Sequence, residues 1–182
     1  TFLTSFVKRD FPQRVIEIGS KDYGNTVPWR TYFKDAEYIG VDMEAGLGVD
    51  LVADVTQGVD GMPTGVDLVI CCSVLEHVRK PWLAAPNIES LLRPGGLLYV
   101  VVPWVWRYHP YPDDYFRYSF NGIRSLFEQT DDWKQFYSTN VDGDFMPAEQ
   151  GTDNGRSMVD DESGVKFLPY LEIHSLGVRR GD

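Results

Sequence analysis

At 182 residues, with 43% hydrophobic and 24% charged side chains and 17 glycines, the chain has the composition of one ordinary soluble domain, not of a disordered or fibrous segment. Its 27 acids outnumber 17 lysines and arginines, and the net charge of −10 repels phosphate backbones and anionic lipid at long range, so neither nucleic acid nor membrane is expected as a partner. No run approaches the roughly 18 apolar residues of a membrane span, and no basic, long apolar leader opens the chain. A cytoplasmic location is the expectation, and the start at Thr1 points to a preceding segment that belongs to the same protein.

In chain order, residues 2 to 10 read as a short helix broken by Pro12, ahead of Arg14-Val15-Ile16-Glu17-Ile18-Gly19, a β-branched run ended by glycine. Further apolar runs at 38–42 and 50–54 each stop at an aspartate, and 66–71 and 96–103 complete a set of five strands. Such continuous Val/Ile/Leu runs are typical of strands covered by helices on both faces. The adjacent cysteines Cys71 and Cys72 fit neither a disulfide nor a pair of zinc knuckles and read as reduced, packed thiols.

Between the fourth and fifth strands, residues 81–93 place Trp82, Ala85, Ile88, Leu91 and Leu92 at helical spacing, with Pro86 a defect in the pattern. A second helix at 120–130 puts Ile123, Leu126 and Phe127 on one face. From residue 133 the pattern changes to strands at 133–138, where Trp133 and Phe136 read as core, and within 166–179. The segment between them, 142–164, carries seven acids and only Arg156 and reads as a solvated loop or flap. The prediction is one α/β domain over 1–182: a doubly wound, mostly parallel sheet with an antiparallel C-terminal edge.

Open sheets of this kind bind ligands beyond the carboxyl ends of their strands, near the switch in strand order. The residues predicted there are Glu17 to Gly24, Asp42, Asp54, Cys72-Ser73 and Pro103-Trp104. A pyrophosphate would want amides and no surplus negative charge, whereas an ammonium, a sulfonium and a ribose diol are matched by acids. Asp42 follows Gly19 by 23 residues, a suitable distance for a carboxylate that accepts two ribose hydroxyls.

The ordered segments VIEIGSKDYG, YIGVD, VADV, DLVICCSVLEHV and LLRPGGLLYVVVP resemble the class I S-adenosylmethionine-dependent methyltransferases of the small Rossmann-like kind, over about residues 13 to 130. The resemblance implies S-adenosylmethionine as cofactor and S-adenosylhomocysteine as product. It implies that Glu17 and Gly19 hold the methionine end, Asp42 the ribose, and Asp54 and Val55 the adenine. The Cys72 carbonyl would meet the ammonium, with Ser20, Met43 and Ser73 beside these groups. The first motif departs from the family at Lys21 and Tyr23, where glycines are usual, and side chains there are expected to narrow the pocket or bend the loop around Gly24.

Trp104 to Ser119 is rich in aromatic residues, and in this family its place after the fifth strand lies over the reacting methyl group. It is read either as an acceptor pocket built by Trp104, Tyr108, Asp113, Asp114, Tyr115 and Arg117, or as an aromatic lid. In the first reading His109 is the general base, because a neutral imidazole titrates near working pH. His77 reads as a structural histidine. No metal is expected, since His109 with Asp113-Asp114 matches no zinc-type spacing. The expected activity is methyl transfer to the oxygen or nitrogen of a small molecule, such as a sugar or metabolite. Two rivals are a catalytically silent binding module, motivated by Lys21 and Tyr23, and a nicotinamide-dependent reductase or epimerase. The latter is disfavoured because no tyrosine is followed four places later by lysine, and Lys21 occupies the second glycine position of a G-x-G-x-x-G loop.

Overall fold

The β-branched run Arg14–Ile18 forms strand β1, which pairs in parallel with β2 (Glu37–Asp42) on one side and β4 (Val66–Cys72) on the other. Outside these lie β3 (Leu51–Val52) next to β2 and β5 (Leu92–Val105) next to β4, also parallel. The chain therefore builds outward from β1 in one direction, then returns to start again at β4, and the switch in strand order falls between β1 and β4. The computed structural model describes residues 12–24, 27–139 and 171–181, Leu3 and Val7, and the backbone of β7 (Phe145–Pro147), β8 (Met158–Val159) and β9 (Lys166–Phe167). The rest of the acidic segment 142–164 and of the predicted helix at 2–10 lies outside the described residues.

The last strand, β10 (Leu171–Arg179), inserts antiparallel between β5 and β6 (Thr130–Thr139), and β7 pairs antiparallel beyond β6. The expected antiparallel C-terminal region is thus present, giving the order β3-β2-β1-β4-β5-β10-β6-β7. Short β8 and β9 pair with each other apart from this sheet. Among the described residues no helix is long and apolar enough to cross a membrane.

Strand alternation divides the core between two faces. Ile16 and Ile18 pack with helices α2 (Pro81–Leu91) and α3 (Phe120–Leu126) through Ala84, Ala85, Ile88, Leu91 and Ile123. Val15, Leu68 and Ile70 pack on the opposite face against Leu3, Val7, and Trp29 and Phe33 at the short helix α1 (Trp29–Tyr32).

Three expectations are corrected. The helix read over 81–93 stops at Leu91, with Leu92 already in β5. Helix α3 stops at Leu126, and β6 has begun by Thr130. Trp82, placed on the buried stripe by spacing, is 57% exposed, while Pro81 and Ala84 are buried instead. Pro86 does sit inside α2, but on the same exposed face as Trp82, so the carbonyl it leaves without an intrahelical partner is available to water. The two cysteines are free, as expected from their sequence context; Cys71 is buried and Cys72 partly buried.

Candidate active site

β1 leads into Gly19, whose φ is +75° and whose added Cβ would fall 2.2 Å from Cγ2 of Val74. Only glycine accepts both the left-handed backbone and this approach of the loop after β4. The Gly19 and Ser20 amides both donate to the Val41 carbonyl, at 2.8 and 3.1 Å, which folds the loop back over β2. Asp42 at the end of β2 then accepts one amide on each oxygen, from Lys21 at 3.2 Å and from Glu44 at 3.0 Å. A carboxylate has lone pairs to spare after two such bonds, so Asp42 is oriented and still able to accept.

A cleft of about 360 Å³ opens at this switch point. Six of the nine residues predicted for cofactor binding line it: Gly19, Asp42, Met43, Asp54, Val55 and Ser73. Asp54 also accepts the Thr56 amide at 2.8 Å, and Asn87 of α2 donates to the Val55 carbonyl at 2.7 Å, which fixes that wall to the helix. Ser73 is held at a φ of 53°, with its amide donating to the Val101 carbonyl at 2.9 Å, a strained backbone of the sort that collects at ligand sites. Asp42, Glu44 and Asp54 give the lining three carboxylates, and it contains no lysine or arginine.

The other three predicted residues are not on the wall. Glu17 lies between Ile16 and Ile18, so alternation turns it to the opposite face, where burial raises its pKa and the Tyr38 hydroxyl donates to it at 2.6 Å. The Cys72 side chain packs toward that same face, and burial pushes its thiol pKa up. Ser20 is buried next to Gly40, where an added Cβ would come 2.6 Å from the serine oxygen.

The departures in the first motif leave the cleft open. The Lys21 stem lies over Gly46, and its ammonium pairs with Glu44 at 2.7 Å, so the side chain stays off the cleft wall. Tyr23 does line the cleft and is 70% exposed, which puts its ring at the mouth.

The aromatic segment after β5 crosses the exit of β4. The Tyr115 and Phe116 amides donate to the Glu76 carbonyl at 2.7 and 3.3 Å, and the Tyr118 hydroxyl donates to the Leu75 carbonyl at 2.8 Å. It reaches the cleft through Tyr111 and Pro112, which spacing did not single out. Trp104, Tyr108, Asp113, Asp114, Tyr115, Arg117 and His109 are not on the cleft wall. Asp114 accepts the His109 amide at 2.8 Å and a forked pair of bonds from Arg117, whose guanidinium holds the carboxyl far below the usual range. These two residues bind each other and fix the shape of the segment. The Asp113 carboxylate accepts the Tyr115 hydroxyl at 2.8 Å.

Behind the cleft wall the one-turn helix Leu75–His77 brings Glu76 and His77 to His109. His77 lines the cleft, and the two imidazole rings meet edge to face at 5.0 Å. Glu76 is 1% exposed, and its Oε1 lies 3.8 Å from His77 Nε2 and 4.0 Å from His109 Nε2. Its Oε2 has no hydrogen-bond partner, and burial pushes the carboxyl pKa up to about 8. Sequence reasoning gave Glu76 no role, because a single acid in an apolar turn carries no spacing signal.

Residues 17–100 match the model of a family described as a methyltransferase domain. The chain is 25% identical over 134 residues to a ubiquinone biosynthesis O-methyltransferase from Parvibaculum lavamentivorans, a match that takes in 73% of this chain and 49% of that protein. It thus spans about half the length of that curated relative. A SAM-dependent methyltransferase from Archaeoglobus fulgidus has a similar fold, with a TM-score of 0.63 at 12% identity over 98% of this chain and 93% of that one. So does the 1,6-didemethyltoxoflavin-N1-methyltransferase of Burkholderia thailandensis, solved with S-adenosylhomocysteine, with a TM-score of 0.60 at 15% identity, covering 99% and 76%. A doubly wound sheet serves many unrelated activities, so likeness of fold alone decides little. The matched sequence runs from the end of β1 into β5, across every loop that walls the cleft up to the exit of β4, so the sequence likeness covers the site and supports a class I S-adenosylmethionine-dependent methyltransferase.

Proposed function

We propose that the chain transfers a methyl group from S-adenosylmethionine to an oxygen or nitrogen of a small-molecule acceptor. The observation that carries this reading is the cleft lining: three carboxylates, no lysine or arginine, and Asp42 held by two amides at the switch point. Such a wall suits a cofactor with a ribose diol and a net positive amino-acid end. It opposes a nicotinamide dinucleotide, whose pyrophosphate needs donors and would face three acids.

When bound, S-adenosylmethionine supplies an electrophilic methyl group on a sulfur that leaves as a neutral thioether. Asp42 accepts the two ribose hydroxyls. Met43, Val55 and Ala53 provide apolar contact for the adenine, and Asp54 accepts from its amino group. The loop at Gly19 approaches the methionine portion with backbone alone, since no side chain fits there. Tyr111, Pro112 and His77 form the acceptor side, so the acceptor is one that enters between the segment after β5 and the β4 exit. Their contribution is alignment and exclusion of water.

Both acceptor atoms occur among the similar proteins: the Parvibaculum relative is named as an O-methyltransferase and the Burkholderia protein as an N-methyltransferase. A silent binding module is the weaker reading, because of the two residues that motivated it Lys21 pairs with Glu44 instead and Tyr23 stands at the open mouth of the cleft, 70% exposed. Calorimetric titration with S-adenosylmethionine, S-adenosylhomocysteine and NAD tests the proposal. One site per chain for the first two and none for NAD is expected; binding of NAD alone, or of none of the three, overturns it.

A further inference from the structure

We propose that Glu76, His77 and His109 together hold one divalent transition-metal ion at the wall of the cleft. Their ligand atoms all lie within 4.8 Å of one another. Two ligands bound about 2.1 Å from one ion at a tetrahedral angle are about 3.4 Å apart, so the separations of 3.8 and 4.0 Å from Glu76 Oε1 to the two Nε2 atoms need to close by about 0.4 and 0.6 Å, and the pair of imidazoles, within 4.8 Å, by at most about 1.4 Å.

The tautomers are set for this. The Nδ1 of His77 faces the Asp113 carbonyl at 2.5 Å, and the Nδ1 of His109 faces the Arg107 carbonyl at 3.0 Å and Asp114 at 3.2 Å. A carbonyl only accepts, so the His77 Nδ1 carries the hydrogen and its Nε2 turns a lone pair toward Glu76. At His109 the carbonyl at 3.0 Å and the Asp114 carboxylate at 3.2 Å outweigh the Arg117 guanidinium at 3.5 Å, and the same tautomer follows. Imidazoles that bind metals are oriented in this way, by an acceptor on the far ring nitrogen. Two imidazole lone pairs and the Glu76 Oε1 then converge on one point. The second carboxylate oxygen of Glu76 is buried without a partner. A cation at the meeting point satisfies all of these groups.

The donor set selects the ion. Two imidazoles and one carboxylate suit zinc, iron(II) or manganese, and do not make the all-oxygen shell of calcium. Three protein ligands leave coordination positions open, and His77 places them beside the cleft. The expectation of no metal rested on His109 with Asp113 and Asp114. The fold instead turns those two carboxylates to Tyr115 and Arg117 and supplies Glu76 and His77 in their place.

The role of the ion rests on the proposed methyl transfer and narrows it to an oxygen acceptor. An acceptor hydroxyl at an open position has its pKa lowered; its proton leaves to water, and its oxygen pair forms the bond to the methyl carbon as the sulfur–carbon bond breaks and leaves its pair on sulfur. The ion also ties the segment after β5 to the β4 exit, since His109 lies on the first and Glu76 and His77 on the second.

The test is calorimetric titration of the chelator-treated chain with Zn²⁺, and with Mn²⁺ in parallel, for wild type, Glu76→Gln and His109→Gln. One ion per chain is expected, with affinity lower by about tenfold or more in each variant, and Zn²⁺ should raise the Tm of the wild type but not of His109→Gln. Glu76 is buried and its variant is checked by circular dichroism; His109→Gln, in the surface segment, carries the result if Glu76→Gln does not fold. No binding of either ion by the wild type, or equal affinity in wild type and His109→Gln, overturns the site. S-adenosylhomocysteine titrated into the same samples separates the two proposals. Its binding without any metal binding overturns the ion and leaves methyl transfer standing; metal binding without it leaves the site standing and overturns the role in methyl transfer.

Discussion

Gly19 has two jobs that no other residue can perform together. Its positive φ is open to glycine, and the missing side chain is where Val74 sits. Gly19→Ala is therefore expected to cost about 2 kcal/mol or more of stability and to lower cofactor affinity by moving the β4 exit. A denaturant titration together with S-adenosylhomocysteine binding checks both; a variant that matches wild type in each removes the argument. Asp42 was legible because it ends a strand one crossover after the glycine turn. Glu17 shows where motif matching stops and physics continues: it stands between Ile16 and Ile18, and period-two alternation alone sends it to the far face. The side-chain direction of Lys21 was not legible, because its partner Glu44 and the gap over Gly46 belong to the loop after β2.

At the scale of elements, α2 is held by more than its apolar stripe. Glu89 is 2% exposed, and one of its oxygens accepts both the Gln129 amide at 2.8 Å and the Thr130 hydroxyl at 2.7 Å. It thus secures the turn from α3 into β6. Glu89→Ala leaves a partly buried amide and a buried hydroxyl without an acceptor, and should destabilise by about 2 to 4 kcal/mol. Trp82→Ala should change stability by less than about 0.5 kcal/mol, the reverse of what the sequence spacing implied, because that side chain is mostly in water. Chemical unfolding of the two variants tests this pair, and an equal cost for both would contradict the placement of α2. The helix itself was readable from Ala85, Ile88 and Leu91. Its rotation was not, since Pro86 and Trp82 occupy one face and only tertiary packing shows which face is wet. The segment after β5 was readable as a cover for the site, but it has no regular period, so nothing in its order distinguished Tyr111 and Pro112, which reach the cleft, from Tyr108 and Tyr115, which do not.

For the whole molecule, the parallel half of the sheet was legible because each strand is a short apolar run with a turn residue at its end. The place of β10 was not: 133–138 and 166–179 look alike as strands, and inserting the later one beside β5 depends on pairing across the full chain. That insertion places His174 in the interior, where Nδ1 meets the Tyr99 hydroxyl and Nε2 the Ser138 hydroxyl, each at 2.7 Å. Burial disfavours the imidazolium and lowers the His174 pKa from 6.5 to about 4. Between those values the unfolded chain takes up a proton that the folded chain refuses, so this contribution to stability is lost as pH falls from 6.5 toward 4. The stability of wild type relative to His174→Gln should decline over that window by an amount on the order of 2 kcal/mol, as read by denaturant unfolding at each pH; a constant difference would contradict the assignment. The central claim is that the acid-lined cleft at the switch point is the cofactor site and that Asp42 is its anchor. The most direct measurement is calorimetric titration of wild type and Asp42→Ala with S-adenosylhomocysteine, with circular dichroism to confirm that both are folded. The account predicts one site in the wild type and an affinity lower by about tenfold or more in the variant, as expected for loss of a charged hydrogen-bonding group. Equal affinity in the two folded proteins would contradict it.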